Sequence, residues 1–328
     1  MGSYKGLQLW HNGKGPSSFR DITLTSHKLG SDELILKSLY SFISAGTERT
    51  IISHPPDDES VAEEMNVPYM NGSFKSAFTY GYSLVGEVMA GPKKWLGKIV
   101  HVMHPHQDYA LVNERDVSCI PEEISPRMAT LISNLETVVN AVWDSGVSLG
   151  DKVLIVGFGN IGALLASVIR KMPGVDVDIL ETNLYRRDIA SKQNFNVVKG
   201  TDLKWKYTIS FNTSGSGSGL QEALNNTAIE GKVVELSWYG SKIVSLELGG
   251  SFHYGRKHII SSQVSRIPAN KSHHFNYQSR KEIVIRILKE IDFDFMTNIE
   301  IPFRKATGFY DKLVKGEVNE IGLLFNYK

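Results

Sequence analysis

Val153-Leu-Ile-Val-Gly157-Phe-Gly159-Asn160-Ile161-Gly162 decides the fold. Four consecutive apolar residues ahead of a turn signal read as a strand buried on both faces. They run into G-x-G-x-x-G, and helical spacing follows from Ile161 to Lys171. In a strand–loop–helix context each glycine has a task. Gly157 permits the tight turn, Gly159 lets the backbone approach a pyrophosphate, and Gly162 lets helix and strand pack closely. The helix beginning at Asn160 and Ile161 offers unpaired N–H groups and partial positive charge to that pyrophosphate. Glu181 closes the next strand-like run, Val175 to Leu180, 19 residues after Gly162. A carboxylate there can accept from both ribose hydroxyls and repel a 2′-phosphate. Arg186 and Arg187 follow, and suit either a 2′-phosphate or the exposed start of a helix. Glu181 sits nearer the expected ribose position, which favours NAD over NADP, with Arg187 kept as a cofactor contact.

Strand-like and helical runs alternate outward from this motif. Tyr207 to Phe211, Lys232 to Leu236 and His258 to Ile260 read as strands. Tyr185 to Asn194, Leu220 to Asn226 and Ser279 to Glu290 read as helices. Such alternation predicts an α/β fold with right-handed βαβ units, a doubly wound parallel sheet and helices on both faces. Ligands bind beyond the carboxyl ends of such strands. That places Ser214 and Gly215, after the fourth strand, on the adenosine side. It places Ser237 and Tyr239, after the fifth, toward the nicotinamide. Arg127 to Ser145 is apolar at helical spacing. Before it, residues 1–125 read as short β segments: Tyr4 to Trp10, Leu34 to Tyr40, Leu84 to Val88, Ile99 to Met103 and Tyr109 to Val112. After 292 come a helical run, Ala306 to Val314, and a strand-like run, Ile321 to Phe325. Trp10, Trp95, Trp143 and Trp205 read as packing residues.

Composition excludes several classes. Of 328 residues, 36 are Lys or Arg and 35 Asp or Glu, a net charge of +1. That balance gives no footprint for nucleic acid or an acidic membrane. Cys119 is the single cysteine, so no intrachain disulfide or Cys-rich zinc site forms, which suits a reducing cytoplasm. No apolar leader and no run of 18 apolar residues is present. The expectation is a cytoplasmic protein acting on a small molecule.

These residues resemble the medium-chain dehydrogenase/reductase (alcohol dehydrogenase-like) superfamily. The resemblance runs through Ala45-Gly-Thr-Glu48, Gly81-Tyr-Ser-Leu-Val-Gly86, the Gly157 to Gly162 loop, Gly231-Lys-Val-Val234 and Ile301-Pro-Phe303. It implies a GroES-like β domain split around an inserted Rossmann domain, with substrate in the cleft between them. The expected division is a catalytic domain over 1–125, a dinucleotide-binding domain over 126–291 and a return to the catalytic domain over 292–328. Homodimers are common in this family. The departures carry as much meaning. Where zinc alcohol dehydrogenases have a ligand Cys, this chain has Ser44 and Ala45, and their ligand His falls on Tyr82. Their third ligand falls near Ser133 to Glu136, and the lobe of four structural cysteines is absent. The resemblance therefore implies the zinc-lacking branch with no metal ligands. Ser41 to Glu48 and His104-Pro-His-Gln107 are most similar to bacteriochlorophyllide-type hydroxyethyl dehydrogenases.

The resemblance also distributes roles. Thr47 matches a hydroxyl that contacts the substrate oxygen. Glu48 matches an acid behind the metal, and without metal would orient a neighbour or act as acid/base. Tyr82 would donate to a carbonyl oxygen or fill the space the zinc leaves. Thr137 matches a nicotinamide-side contact. His104 follows a strand that lines the substrate pocket in the family, and an imidazole of ordinary pKa suits proton transfer with an alcohol. It is the favoured acid/base; His106, two residues on, reads as a surface residue. The expected activity is zinc-independent hydride transfer between NAD(H) and an alcohol or ketone. The alternatives are an NADPH-dependent enone or quinone reductase and a catalytically silent nucleotide-binding protein.

Overall fold

The computed structural model describes residues 2–13, 15–56, 58–200 and 206–328; Trp205 lies outside them. The chain divides into two units. One comprises 1–133, 292–318 and 322–328, and the other 134–291 and 319–321.

In the first unit, β1 (Ser3–Trp10) and β2 (Ser18–Thr25) form an antiparallel hairpin. A seven-stranded sheet is built from β3 (Glu33–Phe42), β4 (Leu84–Ala90), β5 (Ile99–Val102), β6 (Tyr109–Asn113), β7 (Ser118–Cys119), β14 (Ile299–Pro302) and β15 (Leu323–Asn326). Its order is β14-β15-β3-β4-β5-β7, with β6 also on β3. Alternate residues of its strands point inward, and Leu34, Leu36, Leu84, Val88, Val100, Val102, Ala110 and Val112 form one buried cluster. At about 25 cal/mol per Å² of apolar surface removed from water, this burial is the main force holding the sheet together.

Two helices depart from the all-β expectation for this region: α1 (Ala45–Ser53) and α2 (Glu59–Met65). α1 is a weak helix former by composition, with Gly46, Thr47, Thr50 and two β-branched isoleucines. Burial of Ile51 and Ile52 overrides that propensity. The expected helix over 127–145 is broken into α3 (Pro126–Ala129) and α4 (Ile132–Ser145). Ser125 caps α3 by accepting from Met128 N–H, with Pro126 opening the first turn. The returning tail adds α10 (Ala306–Lys315).

In the second unit, six strands form one wholly parallel sheet: β8 (Lys152–Val156), β9 (Asp176–Leu180), β10 (Asn196–Val197), β11 (Tyr207–Asn212), β12 (Thr227–Glu235) and β13 (His258–Ser261). The order is β10-β9-β8-β11-β12-β13, or 3-2-1-4-5-6 when counted from β8. That is the doubly wound dinucleotide-binding order, with its reversal between β8 and β11. The helices of this unit are α4, all but its first two residues, α5 (Asn160–Ile169), α6 (Leu184–Lys192), α7 (Gly217–Asn226), the single turn α8 (Ser251–Tyr254) and α9 (Tyr277–Glu290). Val153, Leu154 and Ile155 are fully buried, as an unbroken apolar run requires. Among the described residues no helix is long and apolar enough to cross a membrane.

Candidate functional site

Two groups of the expected residues assemble, one in each unit. In the second unit the loop after β8 meets the loop after β11 at the reversal point. A Cβ on Gly162 would stand 2.0 Å from the Gly157 carbonyl oxygen, so no larger residue fits there. Gly157 itself adopts φ 95°, with Ser214 backbone 2.9 Å from its would-be Cβ. Gly159 differs: the nearest atom to its would-be Cβ is Arg186 Nη1 at 3.7 Å, so the loop presents an open face there. Gly159 caps α5 without a side-chain hydrogen bond. An open glycine face at a helix N-terminus fits a pyrophosphate.

Glu181 is buried behind this loop. Its Oε2 accepts from Phe158 N–H at 2.6 Å, and its Oε1 from Thr182 and Asn183 N–H at 2.7 and 2.8 Å. The carboxylate thus braces the glycine loop against the end of β9, a task beyond the ribose contact expected of it. Arg187 lies half-buried on α6, while it is Arg186 that reaches the Gly159 face.

Ser214, Gly215, Ser237 and Tyr239 come together around Asn212, which opens the loop after the fourth strand, and Glu235, which no sequence motif marks. Asn212 accepts from Ser214 N–H and its hydroxyl, and donates to Glu235 at 2.8 Å and Tyr239 at 2.9 Å. Glu235 accepts from Ser237 N–H and the Tyr239 hydroxyl. Gly215 N–H donates to the Ser237 hydroxyl at 3.0 Å. Burial and the Glu235 charge hold the Tyr239 phenol above its usual range, so it stays a donor. Thr137 lies half-buried on α4.

In the first unit, Tyr82, Thr47 and Glu48 assemble around the start of α1. The Tyr82 hydroxyl donates to Ser44 Oγ. Burial pushes this phenol up to about 12. Glu48 is 1% exposed and accepts from Ser44 N–H at 2.9 Å and from the Tyr310 hydroxyl at 2.5 Å, with His106 Nε2 at 3.4 Å. Burial alone would raise its pKa; His106, then Tyr310 and Ser44, outweigh it and hold the carboxyl below its ordinary range.

His106 is therefore not the surface residue expected. It is fully buried, its Nδ1 2.7 Å from the Ser41 hydroxyl, which in turn lies 2.7 Å from the Tyr327 hydroxyl. Gly81 makes room for it: at φ 122°, its Cβ would stand 2.8 Å from His106 Nε2. His11 completes the cluster. Its ring is edge-on to Tyr310 at 4.7 Å, Ser17 lies 2.9 Å from Nδ1, and its buried Nε2 has no partner. Burial drives His11 down to about 3. Tyr310 and Tyr327 come from the tail, more than 200 positions from Glu48, and no local pattern announces them.

His104 stands apart, with no hydrogen bond to Tyr82, Thr47 or Glu48 among the described residues. Its Nδ1 lies 2.9 Å from the Pro105 carbonyl oxygen. A carbonyl only accepts, so Nδ1 carries the proton and Nε2 presents a lone pair. Burial lowers its pKa to about 4, so the near-neutral imidazole expected from sequence is replaced by a neutral acceptor.

Among the described residues no group of three or more His, Cys, Asp or Glu side chains is placed to hold a metal ion.

No protein-family profile matches the chain. Two curated relatives are L-threonine 3-dehydrogenase of Pseudoalteromonas translucida and D-guloside 3-dehydrogenase of Shigella flexneri. The first is 26% identical over 141 residues, 39% of this chain and 41% of that protein. The second is 26% identical over 170 residues, 48% of each. The chain thus spans about half the length of the curated relatives it matches. Solved structures align over nearly all of it. L-idonate 5-dehydrogenase of Escherichia coli gives a TM-score of 0.77 at 13% identity, covering 99% of both chains. Acetophenone reductase of Geotrichum candidum in complex with NAD gives 0.72 at 16%, covering 98% and 97%. The yhdH oxidoreductase of Salmonella enterica in complex with NADP gives 0.69 at 16%, covering 99% and 100%. At these identities the likeness is one of fold: an α/β chain with a GroES-like β unit split around a Rossmann sheet.

Proposed function

We propose that this chain is a zinc-independent oxidoreductase that transfers a hydride between NAD(H) and a small alcohol or ketone. The second unit serves as the dinucleotide domain, and the candidate proton-transfer groups lie in the first. The observation that carries the reading is the open Gly159 face at the N-terminus of α5, at the reversal point of a 3-2-1-4-5-6 sheet. The hydroxyl-bearing substrates named by the two curated relatives support an alcohol substrate.

Bound nicotinamide supplies the hydride acceptor and donor. The chain's own residues do the rest. The glycine loop and first turn of α5 hold the pyrophosphate, and Glu181 keeps that loop in place. Asn212 and Glu235 order the Ser214–Gly215 and Ser237–Tyr239 loops beside it. In alcohol oxidation His104 Nε2 is the acceptor of the hydroxyl proton, and the Tyr82 hydroxyl, held by Ser44, is the rival group for that step. Held at about 4, the imidazole is neutral at working pH and a weak base, so the proton it takes is passed on to solvent.

The test is His104→Ala. Turnover is expected to fall by about 10² or more, the usual loss with a general acid/base, while NADH affinity changes less than about twofold. Near-full turnover in His104→Ala, together with none in Tyr82→Phe, moves the proton step to the phenol. NADH binding without turnover across a panel of alcohols and ketones leaves a silent nucleotide binder.

For the cofactor, we expect NADH to bind at least about tenfold more tightly than NADPH, or about 1.4 kcal/mol. Glu181→Ala should narrow that gap and also weaken both cofactors, because the loop loses its brace. Equal dissociation constants for the two cofactors in the unaltered chain, by fluorescence titration, would remove the role of Glu181 in the preference.

A further inference from the structure

Val67-Pro68-Tyr69-Met70 is a β-turn closed by Met70 N–H donating to the Val67 carbonyl at 3.2 Å. Proline at its second position fits, and its third residue takes φ 62°. Turns of this kind place glycine or asparagine there, because a Cβ is disfavoured at positive φ. Here the position holds tyrosine. A bulky residue at positive φ is a genuine outlier and persists only where its surroundings over-determine it.

Those surroundings are specific. The Tyr69 hydroxyl donates to Asp116 at 2.5 Å and accepts from Asn113 N–H at 2.9 Å. The phenol is thereby fastened to the end of β6. Its ring lies stacked on the His104 imidazole, centroids 5.2 Å apart and planes 23° from parallel. This is the offset stacking range for aromatic pairs. The Pro105 carbonyl oxygen lies 2.9 Å from the imidazole Nδ1. One face of the imidazole is thus covered by Tyr69 while Pro105 fixes its tautomer.

We propose that Tyr69 is a positioning residue for His104: it covers one face of the imidazole and fixes the ring plane, so that Nε2 points in one direction. The role rests on the reading of His104 as the proton acceptor. Tyr69 also packs on the cluster around Leu34 and Val100, and the variants are chosen to separate the two jobs.

The experiment is nuclear magnetic resonance of the His104 ring protons in the full chain without substrate, alongside turnover. Tyr69→Asn keeps the turn, since asparagine tolerates positive φ, but removes the ring. Tyr69→Phe keeps the ring. In the unaltered chain and Tyr69→Phe, the imidazole protons should show the upfield shift of a stacked ring and titrate near 4. In Tyr69→Asn that shift should vanish, and the titration should move up by about one pH unit or more as water reaches the ring. Turnover should fall about tenfold or more in Tyr69→Asn with KM little changed, and recover in Tyr69→Phe. Should Tyr69→Asn fail to fold, Tyr69→Leu, which keeps apolar bulk without a ring, reads the same signals. Imidazole resonances unchanged in the ringless variant overturn the inference, whatever His104→Ala does. Lost stacking with unchanged turnover overturns the positioning role even where His104→Ala is inactive. An active His104→Ala removes the premise instead, and is read separately.

Discussion

Glu48→Ala should lower the unfolding free energy by about 3–5 kcal/mol, the scale for stripping one partner from a buried charged network. The carboxylate is 1% exposed and accepts from the Tyr310 hydroxyl and Ser44 N–H, with His106 beside it. Alanine leaves both donors buried without an acceptor, each worth about 1–3 kcal/mol of desolvation. Domains of this kind carry roughly 5–15 kcal/mol in total, so the variant should unfold at a visibly lower urea concentration. Glu48→Gln keeps the shape and one acceptor, and should lose about half as much. A midpoint for Glu48→Ala equal to that of the unaltered chain would mean the network contributes nothing to stability. Loss of the Ser44 anchor should also release Tyr82, so residual activity should fall further than the remaining folded fraction accounts for.

Acid should destabilise the first unit well above the range where carboxylates titrate. Burial holds His11 at about 3 and His104 at about 4 in the folded chain, against 6.5 when unfolded. Below pH 6.5 the unfolded chain takes up protons that the folded chain refuses, so stability falls as pH falls. A tenfold difference in proton affinity between the two states is worth about 1.4 kcal/mol. Between pH 7 and 4 the two histidines together should therefore remove on the order of 5 kcal/mol. Glu48 acts in the same direction but lower. Its depressed pKa supplies stability above its ordinary range of about 4.5, lost as pH falls through the folded value. Unfolding free energy measured by urea at a series of pH values checks this. His11→Phe should flatten the profile between pH 6.5 and 4 by roughly half. A profile already flat across that window would show that neither histidine is held neutral by the fold.

The second unit was largely legible in the sequence because its signals are local. Val153 to Gly162 states a strand, a turn and a helix within ten positions, and the alternation around it fixes a parallel sheet. The first unit was less so. α1 was hidden by Gly46, Thr47 and Thr50, which suit turns and strands, and only the burial of Ile51 and Ile52 reveals its helix. The break at Thr130–Leu131 that splits the 127–145 run holds neither glycine nor proline, so the apolar periodicity runs across it unmarked. The polar cluster could not be seen, because Tyr310 reaches Glu48 across 262 positions and Tyr327 reaches Ser41 across 286. His106 looked like a surface residue because nothing near it in the chain is its partner. Tyr69 carried a visible signal in Pro68, which marks a turn, but not the positive φ that makes it unusual.

The tail's part in that cluster has a consequence for synthesis on the ribosome. Glu48 is made well before Tyr310, Tyr327 and the strand β15 that pairs with β3. While the first 133 residues emerge, a buried carboxylate has no Tyr310, and one edge of the sheet has no neighbour. The second unit is almost unbroken in the chain and can settle as soon as its last helix is out. The order of assembly is therefore inverted relative to the order of translation: the middle of the polypeptide matures first, and its beginning waits for its end. During that interval the exposed β3 edge is the segment most in need of a chaperone, because an unpaired strand invites pairing with other chains. A nascent chain arrested before residue 292 should accordingly leave β1 to β7 open to protease while 134–291 resists it.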